Sequence, residues 1–137
     1  MLAVGIAALV LYAHAVAAIT PNASISVDLD GDRKPDTVLL RQGANSVVVL
    51  VRFGDRSKKE EQFRFTVDPG REDAVCKLPV RLRIEPLDYD LTAALGESLP
   101  GFVRSKSHNG FAIVDEACDS IHFFWNHRTK RLEWWRL

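Results

Sequence analysis

Hydrophobic and polar residues alternate with a period of two along most of the chain after the first 22 residues. This is the spacing of half-buried β-strands, in which successive side chains point to opposite faces of a sheet. The clearest case is QFRFTV, residues 62–67, where Phe63, Phe65 and Val67 share one face. Arg64 and Thr66 share the other face. The pattern therefore predicts strands that bury one side in a common core.

Turn residues and charged stretches divide the chain into eight predicted strands. NSVVVLVRFG is rich in β-branched residues, which indicates a well-buried strand. In KLPVRLRIEP we expect Val80, Leu82 and Ile84 to face inward, with the two arginines between them facing outward. The charged stretch DRSKKEEQ is interpreted as a solvated connector. The predicted strands are SISVD, DTVLLRQG, NSVVVLVRFG, QFRFTVDPG, KLPVRLRIEP, GFAIVDE, SIHFFWN and RLEWWRL.

One short helix is expected at DLTAALGE, with Asp90 as its N-cap and Gly96 ending it. Antiparallel strands that follow one another need only short connections, and the turn signals supply them. The predicted fold is therefore mainly β, a small antiparallel sandwich or meander of about seven to eight strands with one short helix. A chain of 137 residues is enough for one such domain, which we place at residues 19–137.

The first 22 residues contain no Lys, Arg, Asp or Glu and are apolar almost to Ile19. Val16 and Ala18 form an A-x-A-like pattern, which predicts a signal peptide over residues 1–18 with cleavage after Ala18. An uncleaved membrane anchor is the alternative, because the apolar run approaches the ~20 residues that span a bilayer. We therefore expect a periplasmic or secreted protein that has no membrane contact after cleavage.

The charge balance of the chain bears on its partners, and its cysteine content bears on the compartment. Lys and Arg number 18, and Asp and Glu also number 18, so the chain has no net charge that would attract nucleic acid or an anionic membrane. Cys76 and Cys118 are the two cysteines. In an exported chain two thiols usually form a disulfide, and we expect one here.

The stretch DLDGDRKPD, residues 28–36, carries four aspartates. Asp28, Asp30, Asp32 and Asp36 occupy positions 1, 3, 5 and 9 of a cation-binding loop, and the backbone carbonyl of Lys34 occupies position 7. Oxygen ligands without His or Cys favour calcium over zinc or copper. The alternative is a polar turn that holds no metal.

The stretch VDLDGDRKPDTVLL resembles the calcium loop of FG-GAP repeats of the integrin α-chain type, which lies between two strands. Arg33 replaces a glycine usual in that family, and Leu39 replaces the bidentate glutamate of an EF-hand. The resemblance implies one weak, structural calcium site. VDLDG also resembles the first motif of haloacid-dehalogenase-type phosphatases, but Asp32 replaces the expected threonine and no βαβ alternation follows.

The C-terminal segments SIHFFWN and RLEWWRL predict a hairpin in which Trp125 pairs with Leu132 and Phe123 with Trp134. That face belongs in the core, so Trp134→Ala should destabilise the fold. The opposite face is covered by a neighbouring element or exposes an aromatic patch that binds a partner. In the exposed case Trp135→Ala should leave folding largely intact. The candidate partner-binding residues are His122, Phe124, Arg128, Lys130, Arg131 and Trp135.

No constellation of residues in the sequence predicts an active site, and we expect a protein that is not an enzyme. The tail CDSIHFFWNHRTKRLEWWRL resembles the end of small exported proteobacterial proteins that carry a D-x-D-G-D loop near the mature N-terminus. Three functions stay open. The first is a periplasmic binding or interaction protein with a structural calcium loop. The second is an inhibitor or immunity protein that acts on a cell-wall-directed enzyme. The third is a carbohydrate-binding module.

Overall fold

The computed structural model describes residues 20–137, which fold into a mainly β structure as the periodicity predicts. The predicted signal peptide, residues 1–18, lies outside the described residues. Within residues 20–137, no helix has both the length and the hydrophobicity that crossing a membrane requires. The elements are β1 (Thr20–Val27), β2 (Asp36–Gln42), β3 (Ser46–Arg52), β4 (Glu61–Thr66), β5 (Arg81–Pro86), α1 (Leu91–Leu95), β6 (Asn109–Val114), β7 (Ile121–Asn126) and β8 (Arg131–Trp135).

The strands form two antiparallel sheets of four strands each, and both sheets are meanders. The first sheet has the order β1-β2-β3-β4, and the second has the order β5-β6-β7-β8. The connection over residues 67–80 carries the chain from the last strand of the first sheet to the first strand of the second. The two sheets pack face to face, so the sandwich and the meander of the sequence prediction are both present.

The core fills the space between the sheets. Alternate residues of β2 and β3 are fully buried there, including Val38, Leu40 and Val49. Aromatic rings join the two sheets across the core, because Phe63 of β4 meets Phe123 of β7 edge to face with the ring centroids 5.1 Å apart. Phe123 in turn stacks on Phe111 of β6 at 4.4 Å. The hydrophobic face predicted for QFRFTV is thus the inner face of the first sheet.

The C-terminal hairpin has the predicted register. Trp125 pairs with Leu132, and Phe123 pairs with Trp134. The predicted helix also forms as α1, with the Asp90 side chain accepting the Ala93 N–H at 3.1 Å and Gly96 ending the helix in a left-handed conformation. Local capping and pairing rules therefore account for both elements.

Ile84 departs from the expectation that it would be buried. It pairs with Phe111 and so lies on the inner face of the sheet, yet it is 43% exposed. The reason is that β5 is an edge strand, with no strand on its outer side to complete the cover. Leu82, two residues earlier on the same strand, does pack against the core.

Because neighbouring strands run in opposite directions, the connecting segments collect at two ends of the sandwich. One end holds residues 28–35, 53–60, 87–108 and 127–130, and we call it the loop end. The other end holds residues 43–45, 67–80 and 115–120. The predicted disulfide between Cys76 and Cys118 lies at this second end and joins the crossover segment to the β6–β7 turn, with the two Cα atoms 6.0 Å apart.

Candidate functional site

The aspartate loop lies between β1 and β2 at the loop end, and its backbone is tightly curled. Gly31 and Arg33 both have left-handed backbones, with φ of 79° and 66°. The Asp28 carboxylate accepts the N–H of Gly31 at 2.8 Å and the N–H of Arg33 at 2.9 Å. Arg33 therefore adopts a left-handed conformation of the kind that favours glycine, at a steric cost to its side chain.

Asp36, the first residue of β2, is fully buried at the base of the loop. One of its oxygens accepts the N–H of Leu29 and the other accepts the N–H of Gly54, each at 2.8 Å. The carboxylate thereby connects the aspartate loop to the start of the β3–β4 loop. Burial raises the pKa of Asp36, and the two backbone hydrogen bonds oppose that rise only in part.

Three of the four aspartates converge on one point. Carboxylate oxygens of Asp28, Asp30 and Asp36 all lie within 4.8 Å of one another. Calcium binds oxygens at about 2.3–2.6 Å, so a single ion can reach all three. Asp32 is outside this group, and its carboxylate accepts the N–H of Lys34 at 2.8 Å. The Lys34 carbonyl as a ligand remains a prediction, as does the likeness to FG-GAP loops.

A lysine from the neighbouring loop already supplies positive charge to these carboxylates. The Lys58 ammonium is hydrogen-bonded to Asp30, whose side chain is only 1% exposed, and lies 3.7 Å from an Asp32 oxygen. Partial burial lowers the pKa of Lys58, but the Asp30 hydrogen bond and the nearby carboxylates outweigh burial, so that the pKa is raised. Lys58 therefore stays protonated beside the loop.

Beside Lys58 lies a cleft of about 690 Å³ that opens between β4, β8 and the β3–β4 loop, which we call the Trp125 cleft. The Lys58 ammonium lies 5.4 Å from the centre of the Trp125 ring and 5.8 Å from that of Phe53. The interpretation of DRSKKEEQ as a solvated connector does not anticipate this cleft. The feature of the sequence that could have indicated the cleft is the run of lysines and glutamates between β3 and β4. The lining residues include Phe53, Lys58, Lys59, Glu61, Trp125, Lys130 and Arg131.

The aromatic patch proposed for the C-terminal hairpin is not formed. Phe124 is 1% exposed and Trp135 is 8% exposed, because α1 and the segments around it cover the outer face of the second sheet. Leu91 of α1 packs in the same cluster. This is the covered alternative of the sequence analysis, and the exposed-patch alternative is wrong.

The polar residues of the same proposal are dispersed. His122 stacks on Trp135 at 4.2 Å and hydrogen-bonds through Nδ1 to Glu85 at 2.8 Å. Arg128, Lys130 and Arg131 are exposed at the hairpin turn. Two of them, Lys130 and Arg131, line the Trp125 cleft and do not border an aromatic patch.

The acidic residues of EPLDYD each have a structural partner. Glu85 accepts the hydrogen bond of His122, Asp88 pairs with Arg104 at 3.2 Å, and Asp90 caps α1. These contacts place the three carboxylates at a strand end, a turn and a helix start, and the last of these is the capping role predicted for Asp90.

Comparison of the chain with protein-family models, with curated proteins and with solved structures finds no match.

Proposed function

We propose that this chain is an exported, non-enzymatic binding protein whose loop over residues 28–36 holds a structural calcium ion. The observation that carries the proposal is the convergence of the Asp28, Asp30 and Asp36 carboxylates within 4.8 Å. Three carboxylates so close repel one another unless a cation lies among them. The Lys58 ammonium neutralises part of that charge, and a divalent ion would neutralise more of it.

A calcium ion at this point would act on stability and on the arrangement of the loops. Asp36 already connects the aspartate loop to Gly54 through two backbone hydrogen bonds. An ion bound by the same carboxylate would fix the β1–β2 loop relative to the β3–β4 loop. Loops on a rigid β scaffold are where binding residues are commonly found. The ion therefore supports binding at the loop end without taking part in a reaction.

The Cys76–Cys118 disulfide supports the exported location, because disulfides persist in oxidising compartments and are rare in reducing ones. The bridge closes the end of the sandwich opposite the aspartate loop. Export predicts that protein recovered from a bacterial periplasm begins at Ile19, which N-terminal sequencing measures. A mature chain that still begins at Met1 would contradict the signal-peptide part of the proposal.

Thermal unfolding tests the calcium part. We expect calcium to raise the Tm relative to chelator, and magnesium to raise it less, because magnesium dehydrates reluctantly and demands octahedral geometry. Asp30→Asn should abolish the calcium effect. The matched control is Asp55→Asn, in which the lost carboxylate also accepts a nearby backbone N–H but lies outside the converging group.

Equal Tm values in calcium and in chelator would overturn the calcium site, as would an equal loss of the effect in Asp55→Asn. The partner is addressed by capture from periplasmic extract on immobilised protein with and without calcium. A cell-wall hydrolase as the dominant captured protein would favour the inhibitor or immunity role over a general binding role.

A further inference from the structure

The Trp125 cleft carries positive charge that is not neutralised within the protein. Two of its acidic residues have partners, since Asp30 pairs with Lys58 and Glu60 pairs with Arg52 at 2.7 Å. Lys59 and Lys130 line the same cleft and form no ion pair within residues 20–137. The ammonium groups of Lys59 and Lys130 are therefore available to a ligand at the rim of the cleft, and they favour an anion.

Glu61, at the inner wall of the cleft, favours a hydrogen-bond donor, in contrast to the lysines at the rim, which favour an anion. One of its carboxylate oxygens accepts the N–H of Leu132 at 3.3 Å. The other oxygen is buried without a hydrogen-bond partner, and the nearest cation is the Arg131 Nε at 3.9 Å. A buried carboxylate oxygen without a donor is costly, so a turn of the Glu61 side chain that brings this oxygen to an O–H or N–H group of a ligand in the cleft would be favourable.

The floor of the cleft is aromatic. Phe53 and Trp125 meet edge to face with centroids 5.5 Å apart, and both rings are mostly buried. The rings leave only a small apolar area at the bottom of the cleft, which suits contact with a few C–H groups and not the insertion of a large aromatic ligand.

The lysines at the rim, the unpartnered Glu61 oxygen and the aromatic floor together favour a ligand that has an anionic group, a hydrogen-bond donor and C–H groups. We propose that the Trp125 cleft binds a sugar acid of the uronate class. Its carboxylate meets Lys59 and Lys130, a ring hydroxyl donates to the unpartnered oxygen of Glu61, and C–H groups of the sugar ring contact Trp125. The inference rests on the binding role proposed above and names its ligand.

Related ligands meet fewer of these requirements. A neutral hexose has the hydroxyl groups but nothing for the ammonium groups of Lys59 and Lys130. A simple aromatic carboxylate has the anion but no donor for Glu61. A uronate carries the anion, the donor and the C–H groups on one ring, and this combination is what the cleft selects.

Isothermal titration of the full mature chain with glucuronate, glucose and phenylacetate tests the proposal at low ionic strength. We expect glucuronate to bind and the other two compounds to bind at least about tenfold more weakly, since glucose lacks the carboxylate that meets Lys59 and Lys130 and phenylacetate lacks the hydroxyl that donates to Glu61. The Lys59→Ala/Lys130→Ala double variant should lose about tenfold in glucuronate affinity. The matched control is Lys77→Ala/Lys106→Ala, which removes the same charge from exposed positions away from the cleft.

Glu61→Gln separates the hydroxyl contact from the general attraction of charge. This variant removes a negative charge from the cleft, so pure charge attraction predicts tighter glucuronate binding. A hydroxyl donating to the carboxylate predicts weaker binding. Weaker binding of glucuronate by Glu61→Gln is the result we expect, whereas phenylacetate, which has the anion but no hydroxyl, should bind at least as tightly as it does to the wild type.

Several outcomes would overturn the inference. They are an absence of glucuronate binding, equal binding of glucose or phenylacetate, and an equal loss in the Lys77→Ala/Lys106→Ala control. If these occur while calcium still raises the Tm and the protein still captures a periplasmic partner, the uronate inference fails and the proposed binding function stands. If glucuronate binds as expected but calcium does not raise the Tm, the calcium site is overturned and the uronate inference is supported.

Discussion

The Lys58 ammonium lies against the Asp30 carboxylate although 28 residues separate them in the chain. The same ammonium lies over the ring of Trp125. One cation therefore borders both the aspartate loop and the Trp125 cleft.

Lys58→Met is expected to increase the calcium response. In wild type, calcium has to compete with the Lys58 ammonium for the Asp30 carboxylate. In Lys58→Met the buried carboxylate has no ammonium beside it, so calcium binds there without that competition. Apo protein should be less stable by about 1–3 kcal/mol, less than for a fully buried pair because a third of the Lys58 side chain is exposed. Denaturant unfolding with calcium and with chelator measures both effects. Lys59→Met is the control, and an equal calcium response in wild type and Lys58→Met would refute the competition.

Trp135→Ala is expected to destabilise the fold by about 3–5 kcal/mol, comparable to Trp134→Ala. Trp135 lies in the buried cluster with Leu87, Leu91 and Phe124, so its removal leaves a cavity between α1 and the second sheet. Urea unfolding of the two variants provides the comparison. A Trp135→Ala variant as stable as wild type would mean that α1 does not cover this face in solution.

Reducing the disulfide should lower the free energy of unfolding by roughly 3–4 kcal/mol, because Cys76 and Cys118 close a loop between two positions 42 apart in the sequence. The Cys76→Ser/Cys118→Ser variant provides the measurement without a reductant. Titration of denatured, unreduced wild type should find no reactive thiol. Two reactive thiols per chain would show that the bridge is absent.

Glu61→Gln should change how stability depends on pH. Burial raises the pKa of Glu61, against the opposing effects of the Leu132 N–H and the Arg131 charge. A raised pKa means that the folded protein holds the proton more tightly than the unfolded chain does. The stabilising contribution of Glu61 is therefore present below its ordinary pKa and lost as the pH rises through the raised value.

The Tm of Glu61→Gln relative to wild type should accordingly increase as the pH is raised from about 4 to about 7. Thermal melts of both proteins across this range provide the measurement. A difference in Tm that stays constant with pH would show that Glu61 does not titrate with a raised pKa.

Local signals in the sequence are enough for the strands, α1 and the C-terminal hairpin. Trp125 and Leu132 face each other across a short turn, and pairing rules act over that distance. The same holds for Asp90, whose cap depends on a residue three positions away. The choice of Cys76 and Cys118 as partners needs only the count of cysteines.

Tertiary relationships do not follow from the sequence in the same way. The Lys58–Asp30 pair joins two different hairpins, and nothing in DRSKKEEQ indicates which lysine turns inward. Trp134 and Trp135 have the same local pattern, and only the position of α1 decides that Trp135 is buried. Ile84 fits the alternation of a buried strand, and its exposure follows from the place of β5 at an edge.

The order of the strands has a consequence for assembly. Each sheet comes from one uninterrupted half of the chain, residues 20–66 and residues 81–135, so every strand pairing is between sequence neighbours. Only the packing of one half on the other is long-range, and it resembles the docking of two subunits. A chain cleaved at Pro69–Gly70 would keep both cysteines in the second fragment. The two fragments should then associate through their hydrophobic faces, and the recovered fold would depend on concentration as a heterodimer does.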